Sequence, residues 1–294
     1  MAKYLIVNAD DYGLCAAANT AVEELFETGK LLSSTIMTPC PEADAALAFA
    51  AAHPEYAVGV HLTTTSEWPT YRWKPLTDGR SLVDEDGFMW RNSRQFGEHA
   101  AYDEIEAELR AQVDYALQRG LHPSHLDNHM GSLYGQHVSP PRFGLLKRTL
   151  RFCGACGLPF RMFDHTDRRL CPAGTPYAVF RLLSIPSRLW SRRYGVLLPD
   201  YLLFPDWTQA LRSGDYAHYR QTILRLWTDL PEGITETYVH PCVHTEQLEQ
   251  IMPHWRDRVW EYELMRDPET HKYLKAHGVE MIRYSDLARL KKKQ

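Results

Sequence analysis

A chain of 294 residues with 44% hydrophobic and 24% charged residues has the composition of a folded globular protein, long enough for one large α/β domain or two smaller ones. Thirty-three basic residues stand against 37 acidic ones, a formal net charge of −4, which supplies no general attraction to nucleic acid or to an anionic membrane. No stretch approaches the ~20 apolar residues of a membrane span and the first residues lack the basic, apolar and cleavage-site regions of a leader, so a cytoplasmic protein with neither nucleic-acid nor membrane partners is expected. The six cysteines are too scattered for a disulfide framework in a chain this long.

The first segment, YLIVNADDYG at Tyr4 to Gly13, is an apolar strand ending in two carboxylates, Asp10 and Asp11. A strand interior tolerates charge poorly, whereas the C-terminal mouth of a parallel strand is where α/β proteins place catalytic groups. Neighbouring side chains on a strand point in opposite directions, so one acid could hold a metal while the other handles a proton. A helix is predicted near Ala16 to Thr28, then the strand SSTIMT, a helix near Glu42 to Ala52, and the strand AVGVHLT with His61 at its end. Ser66 to Phe96, rich in Trp, Pro, Gly and Asp, reads as a long loop over the mouth that follows. A long amphipathic helix near Tyr102 to Arg119 precedes HPSHLDNH, and a helix from about Pro141 ends at CGAC, with Gly154 and Gly157 as its terminators, before the strand LPFRMF. Leu170 to Asp206 mixes Pro, Tyr, Trp and Arg and reads as a lid, a substrate wall or a dimer contact, after which the strands ETYVHP and VEMIRY lie among further helices. This alternation predicts an α/β fold, a (β/α) barrel-like, TIM-barrel-related single domain spanning residues 1–294, with insertions near 66–96 and 170–206.

HPSHLDNH packs His122, His125, Asp127 and His129 into one strand end, although a polar surface turn is the plainer reading of such a segment. On a strand, residues 125, 127 and 129 share a face, which would let Asp127 hydrogen-bond a metal-bound imidazole from behind. Asp11, His61 and His129 make a set of two imidazoles and one carboxylate that suits a divalent ion and leaves positions open for water and substrate, while His61 alone would pass for a hydrogen-bonded structural residue. Asp10 is the candidate base, and His240, at the end of ETYVH, the candidate acid, since amide hydrolysis needs a proton removed from water and one delivered to the leaving amine. Arg161 in LPFRMF could fix the charge state of Asp10 or serve as a structural salt bridge.

Together NADDYG, GVHLT at Gly59 to Thr63, HLDNH at His125 to His129, the strand around Arg161 and YVHP at Tyr238 to Pro241 resemble the YdjC/ChbG-like carbohydrate deacetylases over nearly the whole chain. The resemblance implies metal-dependent removal of acetyl groups from N-acetylated mono- or oligosaccharides, with metal-bound water as nucleophile. It implies Asp11, His61 and His129 as metal ligands, Asp10 as base and His240 as acid, with His125, Asp127 and Arg161 behind the ligands or on the substrate, and often a homodimer. One divalent ion is expected, magnesium or zinc first and manganese, cobalt or nickel as alternatives. The competing readings are an esterase or amidase on another substrate, and a non-catalytic sugar-binding protein.

Overall fold

The computed structural model describes residues 2–204 and 214–292. Seven strands, β1 (Lys3–Tyr12), β2 (Ser33–Ile36), β3 (Ala57–Leu62), β4 (Leu126–Asn128), β5 (Tyr201–Leu202), β6 (Gly233–Val239) and β7 (Val279–Met281), form one parallel sheet ordered β4-β3-β2-β1-β6-β5. Strand β1 is its axis. One edge pairs with β6 from Lys3 to Ala9, while the other is divided between β7 at Lys3 to Leu5 and β2 from Asn8 onward. The result is an α/β domain whose sheet curls into a half-barrel.

Helices α1 (Ala16–Glu27), α2 (Ala43–Ala52), α3 (Ser93–His99), α4 (Tyr102–Gln118), α5 (Gly144–Cys156) and α6 (Tyr177–Tyr194) alternate with the strands, followed by helices at Tyr216–Thr228, Glu246–Ile251, Trp255–Arg266, Pro268–Ala276 and Leu287–Lys291. LPFRMF is not a strand. Its proline and the irregular chain around it leave a single bridge, Phe160 to Leu126, yet the backbone of Phe160 also bonds Leu197 and so carries the sheet from β4 toward β5. Gly157 ends α5 in the left-handed conformation, but Gly154 lies inside the helix: a Cβ there would stand 2.3 Å from the Tyr194 carbonyl, so its role is to let α6 close on α5. Of the region read as an insertion near 170–206, residues 205 and 206 lie outside the described residues, and most of the rest is α6.

Strand alternation sorts the interior into layers. Leu5, Val7 and Ala9 of β1, with Val60, Leu62 and Leu126, face the large core beneath the helices. The alternate positions face into the curl, where Ile6, Ile234, Ile282 and Tyr284 plug the N-terminal end with apolar surface. Further along the same face stand Asn8, Asp10, Thr35, His61, Asp127 and Glu236, all buried and all polar. One strand period thus supplies a hydrophobic floor and, above it, a polar site at the C-terminal mouth.

Candidate active site

Between Ala9–Ser34 and Tyr12–Ile36 the register of β1 against β2 shifts, so that Asp10 and Asp11 together oppose Thr35 alone. This is a β-bulge, and Asp11 within it takes φ +61°, a left-handed conformation that aspartate adopts more readily than most residues. The bulge overrides simple alternation and aims both carboxylates into the mouth, each at its own set of partners.

Asp11 meets the two histidines. Its Oδ1 lies 3.4 Å from His61 Nε2 and 3.2 Å from His129 Nδ1, and its Oδ2 accepts from Arg258 Nη2 at 2.7 Å. Buried Oδ1 receives no well-directed hydrogen bond, so three ligand atoms converge on a common point without satisfying one another. From behind, Asp127 Oδ1 holds His61 Nδ1 at 2.7 Å, which leaves Nε2 as the nitrogen that faces Asp11. Glu67, from the loop after β3, stands 3.0 Å from His129 Nε2 and does the same for that ring. Burial works against charge on Asp11, but Arg258 and the histidines hold its carboxyl well below the usual range. Burial likewise opposes charge on His61 and His129, yet Asp127 and Asp10 lift the first to about 10, and Glu67 and Asp11 lift the second to about 9.

Asp10 belongs to a separate buried ring of contacts. Arg161 donates to both its oxygens, at 2.5 and 2.6 Å, while Nε of the same guanidinium binds Glu236 at 2.6 Å and Nη2 reaches Asp127 at 2.8 Å. The Tyr284 hydroxyl donates to Glu236 at 3.0 Å, and its ring stacks on His125 with centroids 3.7 Å apart. His125 Nε2 meets Asn8 Oδ1 at 3.2 Å, and Asn8 Nδ2 returns to Asp10 at 2.9 Å, closing the circuit. His125 therefore sits one layer below the mouth: β4 spans only Leu126–Asn128, and a short 3₁₀ turn carries His129 away from any common strand face with it. Burial pushes His125 down to about 3, and burial together with the charges of Asp127 and Asp10 pushes Glu236 up to about 7 despite Arg161. His240 follows Val239, the partner of Ala9, so the register sets it beside Asp10, and both its backbone N–H and its Nδ1 face Glu261.

The donor set fits a divalent cation: a buried carboxylate oxygen of Asp11 without a hydrogen-bond partner and two imidazole nitrogens, each held from behind by a carboxylate, converge on one point. Sequence reasoning brought together Asp10, Asp11, His61, Asp127, His129 and Arg161 but missed Asn8, Thr35, Glu67, Glu236, Glu261, Arg258 and Tyr284. Glu236 carried a readable signal, a carboxylate in the middle of a buried strand, whereas Arg258 arrives from the helix Trp255–Arg266 with nothing in its local sequence to mark it.

Against known proteins, residues 4–276 match the family described as YdjC-like protein. A carbohydrate deacetylase of Geobacillus stearothermophilus is 28% identical over 99% of this chain and 100% of its own length. One from Thermus thermophilus is 30% identical over 73% of this chain and 85% of its own. A chitooligosaccharide deacetylase of Yersinia enterocolitica is 34% identical over 56% of this chain and 61% of its own. Among solved structures, a protein of Enterococcus faecalis V583 named for cellobiose-phosphate cleavage superposes with a TM-score of 0.76 at 25% identity, covering 98% of this chain and 99% of its own. With 273 consecutive residues under one family description, the chain belongs to the YdjC-like protein family.

Proposed function

We propose that the protein is a hydrolase that removes acetyl groups from N-acetylated mono- or oligosaccharides. The observation that carries the reading is the convergence of Asp11 Oδ1, His61 Nε2 and His129 Nδ1 on one buried point, beside a second carboxylate, Asp10, and a histidine, His240, that are not part of it. The names of the relatives, carbohydrate and chitooligosaccharide deacetylases, supply the substrate class.

Asp11, His61 and His129 would hold one divalent ion, which in such sites acidifies water and polarises a carbonyl oxygen. Asp127 and Glu67 fix the two imidazoles so that their free nitrogens face it. Asp10, oriented by Arg161 and Asn8, takes the proton from the attacking water. His240, braced by Glu261, gives one to the departing amine, and protonation there lets the tetrahedral intermediate break toward acetate and a free amino sugar. Two imidazoles and a carboxylate lean toward zinc, manganese, cobalt or nickel without excluding magnesium.

The test is acetate release from a panel of N-acetylated mono- and oligosaccharides, with chelated and metal-restored protein side by side. Metal-dependent acetate with a free amino sugar is the expected result. Acetate from O-acetylated sugars alone would make the protein an esterase, and no acetate from the metal-loaded protein would sink the deacetylase reading. Asp10→Asn should keep its metal and lose about 10²-fold or more in turnover, the size of a general-base effect.

A further inference from the structure

Helix α6 carries apolar residues on both sides: Phe180, Trp190 and Tyr194 pack inward on the core, and a second apolar row faces outward. Its inward face, laid against α5, carries Ser184, Ser187 and Ser191, all buried, with Phe180 seated on Phe163. Its outward ridge carries Leu182, Ile185 and Leu189 at i, i+3 and i+7, exposed to 64%, 47% and 61%, with Val179 exposed to 44% on one flank. Single exposed leucines need no explanation, but three large apolar residues at helical spacing form a continuous apolar ridge on the surface. On the other flank Arg181, Arg188 and Arg192 recur at i, i+7 and i+11, and the helix contains no acidic residue. Among the described residues only Arg192 has a carboxylate near, Asp164 at 3.9 Å, while Arg181 and Arg188 have none within ion-pair distance. In a chain of net charge −4 this is a local concentration of unpaired positive charge beside apolar surface.

The arginine row selects the occupant. A second copy crossing antiparallel about a twofold axis would set the arginine row of one helix against the same row of the other, like charge against like. A protein partner would have to supply a groove for a protruding ridge. Fluid anionic lipid needs no groove and supplies the missing negative charge, with the leucines entering the acyl boundary and the guanidiniums lying among the headgroups. We infer that α6 is a docking surface for anionic lipid, binding the protein peripherally and reversibly to membrane through Leu182, Ile185, Leu189 and the Arg181/Arg188/Arg192 row.

Co-flotation of the full chain with vesicles of phosphatidylcholine, with and without phosphatidylglycerol, tests this independently of any activity. Binding to the anionic vesicles only, weakened by salt, is expected. Arg181→Gln/Arg188→Gln should lower the partition about 25-fold, at roughly fivefold for each arginine near an anionic surface. Leu182→Ser/Leu189→Ser should abolish it, with the circular dichroism and acetate release of both variants unchanged. No retention of folded wild-type protein on anionic vesicles, or equal retention of both variants, overturns the inference. So does a solution dimer that Leu182→Ser/Leu189→Ser converts to monomer, which would assign the ridge to a second copy.

Discussion

Asp11 does two jobs, and one substitution reports on both. Its Oδ1 belongs to the histidine cluster and its Oδ2 neutralises Arg258, a guanidinium that reaches the site from a helix with its side chain 13% exposed. Asparagine tolerates the left-handed backbone that the bulge imposes, so Asp11→Asn should keep the local fold while leaving Arg258 without its counter-charge. Breaking a buried pair from one side typically costs 3–5 kcal/mol. Urea unfolding of the metal-free variant should therefore show a loss of about 3 kcal/mol, and metal content after purification should fall as well. A variant as stable as wild type and fully metal-loaded would remove Asp11 from both roles. The ring around Asp10 makes a subtler prediction. Tyr284 is remote from the mouth, yet its hydroxyl fixes Glu236, Glu236 fixes Arg161, and Arg161 sets the direction of Asp10. Tyr284→Phe keeps the stack on His125 and removes one hydrogen bond, worth about 1 kcal/mol. A positioning role predicts that kcat falls about fivefold with KM unchanged, whereas equal kcat at lowered thermal stability would make Tyr284 structural only.

At the scale of elements, the site depends on how closely β3 and β4 approach. His61 and Asp127 are direct register partners, and the approach is possible because Gly59 has no side chain: a Cβ there would stand 2.4 Å from the His125 carbonyl and 2.9 Å from its Nδ1. Backbone cannot yield as a flexible side chain can, so Gly59→Ala must push the strands apart. We expect a loss of about 1–3 kcal/mol, the usual range for overpacking, together with weaker metal binding as Asp127 withdraws from His61. Isothermal titration with zinc, beside an unfolding curve, reads both, and unchanged metal affinity would show that the pair survives the displacement. These elements also show what the sequence could tell. Strands β1, β3 and β6 and helices α1, α2 and α4 were legible because each has a clear period and a clean end. Strand-like LPFRMF was not, because its pairing is decided by neighbours more than 30 residues away in the chain, and neither was the outward turn of α6, since an amphipathic pattern shows that a helix has two faces without saying which one is buried. The adjacent aspartates were visible as a pair, but the bulge that brings both to one place follows from the register with β2.

For the whole molecule, the layering inside the curl links the site to acid stability. His125 and Glu236 lie one level below the mouth with perturbations of opposite sense, so their contributions to folding run against each other with pH. His125 stays neutral in the folded protein down to about 3, while the unfolded chain takes up a proton near 6.5, so its contribution is present above 6.5 and lost as pH falls toward 3. Glu236 keeps its proton up to about 7 when folded but loses it near 4.5 when unfolded, so its contribution is present below 4.5 and lost as pH rises through 7. Between 4.5 and 6.5 the two slopes cancel. Below 4.5 Glu236 falls silent and, of the pair, His125 alone removes about 1.4 kcal/mol per pH unit, joined below the ordinary aspartate range by Asp11 and by Asp127, which burial would raise but Arg161 and His61 bring down to about 2. Urea unfolding across this range should accordingly give a plateau and then a decline. His125→Phe, which preserves the stack on Tyr284 and cannot titrate, should flatten the upper part of that decline. The same slope in wild type and variant would mean that His125 is charged in the folded state, and the neutral layer between the apolar floor and the charged mouth would have to be drawn elsewhere.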